Sequence, residues 1–457
     1  MAEPGGAVVR AQSMTELLTG ANPVPRPPYA QGIGLPWDVP VDDAVAAIAA
    51  ARARHGDTFA VESGRDHYLF TFSATGVESF YALTEETASK AVADYLMLRR
   101  KLPDEIFAGR RILPNALFRR DDVVSYLTNL DRALEHSAAE LGPAGSADVF
   151  DLMRRLAHRM GLASWAGPGS AEGEAFKRLV RAFDTLDGSD AFVHPDRMAA
   201  VAATDKRAER AALDEVADTI AGAVRRLDAG ETGGHALFSR IVDAWSSEAE
   251  DVRPNEDIRL RGIALDVALI HIASMSNLAA ALGWALVDLV EHPAQLARIR
   301  AGGADSADLA QRCALESTRL AQRSIMTRTV LSTVEFDTGA VTYQVPPGWT
   351  IATLLPLLNT SVAPGLQQWD PHRWTRHRLT AQDALPSPML VTAFGHGRHS
   401  CPAQPFSLAA MTAASTHLLR KYQLTPRWTS HPQPVSAQIG GVARAADPCR
   451  VDYASRS

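Results

Sequence analysis

The stretch IRLRGIALDVALIHIASMSNLAAALGWALVDLVEH, ended by Pro293, is the longest candidate helix in the chain. Apolar side chains fall on nearly every face of it, which places it in the middle of the molecule. A helix with no polar face must be surrounded by others. Other segments with apolar residues at three- and four-residue spacing include DVVSYLTNLDRALEHSAAEL, DVFDLMRRLAHRMGLASWA, AFKRLVRAFDTL and DKRAERAALDEVADTIAGAVRRLDAG. A further helix is expected over ADLAQRCALESTRLAQR, and one more after Cys401.

Strand signals are short and lie near the two ends. TFAVES and HYLFTFS flank a turn at GRD, and STVEFDTGAVTYQVPPGWTI is broken by Gly and Pro. The fold class expected is therefore mainly α with minor β. Residues 1–35, rich in Gly, Pro and small polar residues, read as an irregular arm, and 36–457 as a single domain.

Apolar residues make up 46% of the 457 and charged residues 21%, the composition of a chain that folds. The formal net charge of −6 argues against a nucleic-acid binder driven by positive charge. Three cysteines without CxxC spacing speak against a disulfide framework or a structural zinc site. No run of about 18 uninterrupted apolar residues is present, so neither membrane anchor nor secretory signal is expected, and a reducing cytoplasm fits best.

The chemistry concentrates in FGHGRHSCPAQ, residues 394–404. Gly395 and Gly397 allow a tight turn and close approach of a flat ligand. A helix starting after Cys401 aims backbone N–H groups at the sulfur and favours thiolate, with Arg398 and His399 adding positive charge or donors. Such a thiolate suits a nucleophile or a metal ligand. The pattern F-G-x-G-x-H-x-C resembles the haem-binding loop of the cytochrome P450 family, whose cysteine is the axial thiolate of haem iron. Here Ala403 stands where that family usually has glycine.

Two more motifs carry the resemblance. ESTR, Glu316 to Arg319, matches the family's ExxR helix, some 80 residues before the cysteine. DPHRW offers Arg373 to close the ion network with Glu316 and Arg319. The resemblance spans about residues 40 to 450. It implies a triangular helical prism with a long central helix and small β hairpins, holding haem b (iron protoporphyrin IX). Cys401 would be the metal ligand, Phe394 a cofactor-binding residue of the haem loop, and His399, Arg328 and Arg110 the propionate donors. The histidine of the family's HxxxRR pattern is replaced by Ile106, and Arg111 could take the place of Arg110.

The family commonly shows A/G-G-x-D/E-T in the central helix, with an acid and an alcohol that organise water. ASMSN puts Ser276 and Asn277 there, the candidate catalytic pair. Neither is a carboxylate relay, though an amide both donates and accepts. Either the substrate supplies the missing group, or these two hold enough water, or peroxide is the oxidant. The family's peroxide-using branch places an arginine nearby; IHIASMSNLAAAL has none. The pocket is expected to draw on Ile270, Ala273, Ser324, Ile325, Thr327 and Ile439.

The function expected is that of an oxidoreductase tailoring a bacterial specialised metabolite, a peptide-derived or aromatic, indole-like molecule. The reaction favoured is ring closure forming a C–N or C–C bond after hydrogen abstraction. Plain hydroxylation, a peroxygenase and a non-catalytic haem-thiolate sensor are the alternatives. A ferredoxin with its reductase is the expected electron source.

Overall fold

A computed structural model describes residues 25–109, 118–119, 122–231, 236–246, 254–375 and 378–456. Residues 25–43 form neither helix nor strand, yet they join the body. Ala30 N–H donates to the Ala60 carbonyl at 2.8 Å, and Ala30, Leu35 and Trp37 are buried. The expected arm is thus packed from about Pro28 onward, because its apolar residues cover the edge of the first sheet.

Helix α1 (Ala44–His55) is started by the Asp43 side chain, which accepts from Ala46 N–H at 2.9 Å, and stopped by Gly56 at φ +86°. Strands β1 (Thr58–Ser63) and β2 (Asp66–Thr71) form the hairpin expected around the GRD turn. Then come α2 (Ala74–Ala82), β3 (Ala88–Ser89), α3 (Lys90–Leu98), α4 (Val123–Leu141), β4 (Ala144–Asp148), α5 (Val149–Trp165), α6 (Gly173–Leu186), α7 (Pro195–Ala203), α8 (Arg207–Asp228) and α9 (Ala236–Ala244). The second half holds α10 (Glu256–Glu291), α11 (Pro293–Ala301), α12 (Ser306–Ala321), β5 (Ile325–Val330), β6 (Val334–Asp337), β7 (Thr342–Val345), β8 (Thr350–Leu354) and α13 (Leu355–Ser361). Short β9 (Trp374–Thr375) and β10 (Arg378–Leu379) precede α14 (Gln404–Lys421), β11 (Tyr422–Pro426) and β12 (Arg450–Ser455).

Helix α10 is the axis. Asn255 caps it through a 2.9 Å bond from Ile258 N–H, and Glu256 and Asp257 complement the positive end of its dipole. It runs 36 residues to the His292–Pro293 break, packed by α5, α8, α12 and α14. Among the described residues it is the one helix long and apolar enough to cross a membrane, and 61% of its apolar window is buried inside the protein.

A five-stranded sheet in the order β1-β2-β8-β5-β3 stands to one side, antiparallel except for the parallel β2–β8 pair. The connection between those two strands contains most of the helical body. A second sheet, β11-β12-β4, clips the last strand to the start of α5. Two apolar cores result, one around α10 and one between the larger sheet and helices α1 and α2. Between them lie the cysteine loop and a cavity.

Candidate active site

Glu316 and Arg319 share a face of α12 and are both fully buried, so the pair is not a solvated surface one. Arg319 donates to both Glu316 carboxylate oxygens, at 2.9 and 2.7 Å. Arg373 Nε adds a third donor at 3.2 Å, Trp374 Nε1 a fourth at 2.9 Å, and Asp370 N–H a fifth at 3.1 Å. A carboxylate stripped of water needs that many donors.

From this knot a line of hydrogen bonds leads to the cysteine. Arg319 donates to the Asn359 carbonyl, and Asn359 Nδ2 donates to the carbonyls of Arg319 (3.1 Å) and Thr392 (2.8 Å). Thr392 N–H returns to Asn359 Oδ1 at 2.9 Å. Thr392 Oγ1 accepts from Phe394 N–H and donates to the Gly395 carbonyl. Finally Cys401 N–H donates to the Phe394 carbonyl at 2.8 Å. Gly395 sits at φ +80°, where a Cβ would be driven into the His399 carbonyl; only glycine makes this turn.

Burial pushes the Cys401 thiol up, while N–H groups of Ala403 and Gln404 at the start of α14, together with Lys90, pull the other way. Among the described side chains, which do not include that of Arg398, the positive charge near the sulfur comes from Lys90. His399 does not provide it: burial and the Arg328 guanidinium hold its ring at about 4, so it is neutral.

Midway along its length, α10 carries an exposed patch. Ala273, Ser276 and Asn277 are exposed in the middle of a helix otherwise mostly buried. A cavity of about 490 Å³ lies along it. Ser276, Asn277, Ile325, Thr327 and Ile439 line this cavity, beside the aromatic rings of Trp37, Phe150, Phe183 and Phe192. Ile270, Ala273 and Ser324 are not among its lining residues. The Ser324 hydroxyl is occupied locally, donating to Gln322 Oε1 at 2.7 Å. Ser276 has no hydrogen-bond partner among the described residues. Arg110 and Arg111 lie outside the described residues.

Residues 234–452 match the family model described as "Cytochrome P450". The human 24-hydroxycholesterol 7-alpha-hydroxylase is 21% identical over 90% of this chain and 89% of its own length. The cytochrome P450 monooxygenase pyvB of Aspergillus violaceofuscus is 24% identical over 74% of this chain and 71% of its own. The chain belongs to the cytochrome P450 family. Its fold is that of solved P450 structures. The retinoic acid-bound cyanobacterial CYP120A1 aligns with a TM-score of 0.70 at 16% identity, covering 95% of this chain and 100% of that one. The haem domain of cytochrome P450DA aligns at 0.71 and 19%, covering 95% and 98%.

This P450 is a monooxygenase, and its cofactor is haem b. The residues present fit that group. Arg328 is fully buried on β5 and its Nε donates to His399 Nε2 at 2.9 Å. A guanidinium only donates, so Nε2 accepts and the proton of the neutral His399 ring is on Nδ1. Nδ1 is buried with no partner. An orphaned buried donor beside the cysteine loop asks for an acceptor, and a propionate is one.

One cluster of this P450 escaped sequence reading. Trp165 Nε1–H donates to His271 Nδ1 at 3.1 Å, and His271 Nε2 meets His158 Nδ1 at 2.7 Å. An indole only donates, so the His271 proton sits on Nε2 and is given to His158. His158 then turns Nε2–H towards Asp184, 3.7 Å away. Burial holds His271 well below the usual histidine range. Both histidines line the cavity as neutral rings fixed in one tautomer. Two histidines far apart in sequence on apolar helices carry no spacing signal; the contact exists only once α5 crosses α10.

Proposed function

We propose that this P450 oxidises an aromatic or peptide-derived, indole-like specialised metabolite, closing a ring by C–N or C–C bond formation. The observation behind this reading is the cavity: it suits a medium-sized substrate, it is walled by four aromatic rings, and a few amide, hydroxyl and imidazole groups stand ready to orient polar atoms. In this reading Cys401 holds the iron, and Arg328, His399 and Arg110 receive the propionates while Phe394 packs against the macrocycle. Glu316, Arg319 and Arg373 hold the loop in place. When bound, the haem activates dioxygen for attack on a substrate C–H bond. The protein's part is to fix the thiolate, exclude water and hold the substrate against Ser276 and Asn277. The domain runs from about residue 36 to the end of the chain, works in the cytoplasm, and takes electrons from a ferredoxin and its reductase.

Hydroxylation is the second reading, favoured by the curated relatives, which include the fusicoccin H C-9 hydroxylase of Phomopsis amygdali, 24% identical over 44% of this chain. Both reactions use one dioxygen, two electrons and two protons. Hydroxylation leaves one oxygen in the product and one in water; ring closure removes two hydrogens from the substrate and sends both oxygens to water. A peroxygenase reading has less support, because the cavity arginines Arg154 and Arg444 are already paired with Asp184 and Asp190.

A spectral binding screen of aromatic and peptide-like compounds, followed by turnover with a surrogate ferredoxin system, tests the proposal. A product lighter by two hydrogens supports ring closure. A product with one added oxygen overturns it in favour of hydroxylation, and the absence of substrate-dependent NADPH consumption favours the sensor.

A further inference from the structure

Asn277 stands where the cavity wall, the central helix and the late turn Gln438–Val442 meet. Val442 N–H donates to its Oδ1 at 2.9 Å. A backbone N–H cannot accept, so this bond settles which end of the amide is which. The turn comes this close because residue 441 is glycine. Gly441 has φ +61°, and a Cβ there would be driven into Oδ1 and stand 3.0 Å from Cγ. The turn is itself anchored. Arg323 N–H donates to the Gly441 carbonyl at 2.8 Å, Arg323 Nε donates to the Gln438 carbonyl at 3.0 Å, and Gln322 bridges Val442.

The other end of the amide is poorly satisfied. Nδ2 has one partner within its own helix, the Ala273 carbonyl at 3.4 Å, at the far limit of hydrogen-bond distance. Asn277 is exposed on the cavity wall, so its remaining donor capacity faces the cavity. Oδ1 already accepts from Val442 N–H and lies close against Gly441, so Nδ2 is the end of the amide with the more unused capacity. An amide N–H does not exchange its proton as a hydroxyl or carboxyl does, so its use here is to hold an acceptor.

We propose that Asn277 is a specificity-determining residue: fixed by Val442 N–H, its Nδ2–H selects substrates that carry a hydrogen-bond acceptor such as a carbonyl. This rests on the reading of the cavity as the substrate site and adds to it the polar group that the substrate must present. Asn277→Asp separates the two halves of the idea, since it keeps the acceptor for Val442 and removes the donors. Asn277→Ala removes both. Gly441→Ala leaves the amide in place but drives the turn off it.

The probes are indanone and indane, alike in shape and differing in one carbonyl, titrated calorimetrically into the holoenzyme. The indanone-to-indane affinity ratio should fall about tenfold in Asn277→Asp and in Asn277→Ala, the worth of one well-made hydrogen bond. Amide exchange at Val442 should stay slow in Asn277→Asp and quicken roughly tenfold or more in Asn277→Ala and Gly441→Ala. A ratio unchanged in both Asn277 variants overturns the donor role. Slow Val442 exchange in Asn277→Ala overturns the tether. Neither readout involves product, so a failed ring-closure reading leaves them intact. If neither probe competes with a turnover substrate, the cavity assignment fails rather than the role of Asn277.

Discussion

The network behind the cysteine loop and the wall of the cavity are built on opposite plans. Behind the loop, Glu316 accepts five hydrogen bonds, and the line through Asn359 and Thr392 satisfies each group in turn before it reaches Cys401. On the wall, Ser276 and Asn277 keep hydrogen-bonding capacity in reserve. A fully satisfied network specifies one geometry; an incompletely satisfied surface is ready for a ligand. The fixed side is the one that must place a thiolate, and the open side is the one that must receive a substrate.

Substitutions that probe the two sides should differ in size. Glu316→Gln leaves Arg319 and Arg373 buried without their counter-charge and should cost about 3–5 kcal/mol, seen as a large drop in the urea midpoint or loss of haem uptake. A cost below about 1 kcal/mol would break the contrast, since it would make the network dispensable. Gly395→Ala comes next: a positive φ plus a clash with the His399 carbonyl should cost about 1–3 kcal/mol and lower the thiolate-type carbonyl spectrum per mole of protein.

On the wall, His271→Leu leaves the Trp165 indole and His158 Nδ1 without partners, and should cost about 1–3 kcal/mol with haem content unchanged. It should also flatten a pH dependence. His271 has a folded pKa below 6.5, so its neutral form supports the fold fully above that value, and the support is lost as the pH falls through the folded pKa. Urea midpoints of wild type and variant should therefore converge as the pH falls from 7 to 5.

The smallest effect concerns Asp288, at the rim of the network. Burial raises its carboxyl to about 6, against the pull of Ser317, His431 and His292, with Glu291 pushing it further up. The folded state then keeps a proton that the unfolded chain has released, so stability declines as the pH rises from about 4 to 6 and levels off above. Asp288→Asn should remove that decline and be equal to or better than wild type at pH 7 in thermal unfolding.

The sequence was unequally legible along the same division. A buried ion network needs particular charges at particular spacings, so Glu316, Arg319, Arg373 and Cys401 could be picked out one by one, and the structure brings the first three into direct contact. The central helix was equally visible, since an apolar surface on all sides leaves one place for it. Asn359, which relays the network to the loop, was not: one amide in LPLLNTS has no pattern around it. Ser324 was placed in the pocket from its position after ExxR, but its hydroxyl had a nearer partner in Gln322. Asn277 was legible as an amide at a special position, but its orientation depends on a turn more than a hundred residues later. The histidine pair depends on how two helices cross, which no local spacing encodes.

That pair has one more consequence. Every proton between Trp165 and His158 is committed in one direction, and the line begins at an indole, which has no lone pair to take a proton in. A proton delivered to His158 from the Asp184 side finds His271 already presenting its own, and beyond it a dead end. Polar as it looks, this flank of the central helix is an insulator, and water is the carrier left to the space beyond it.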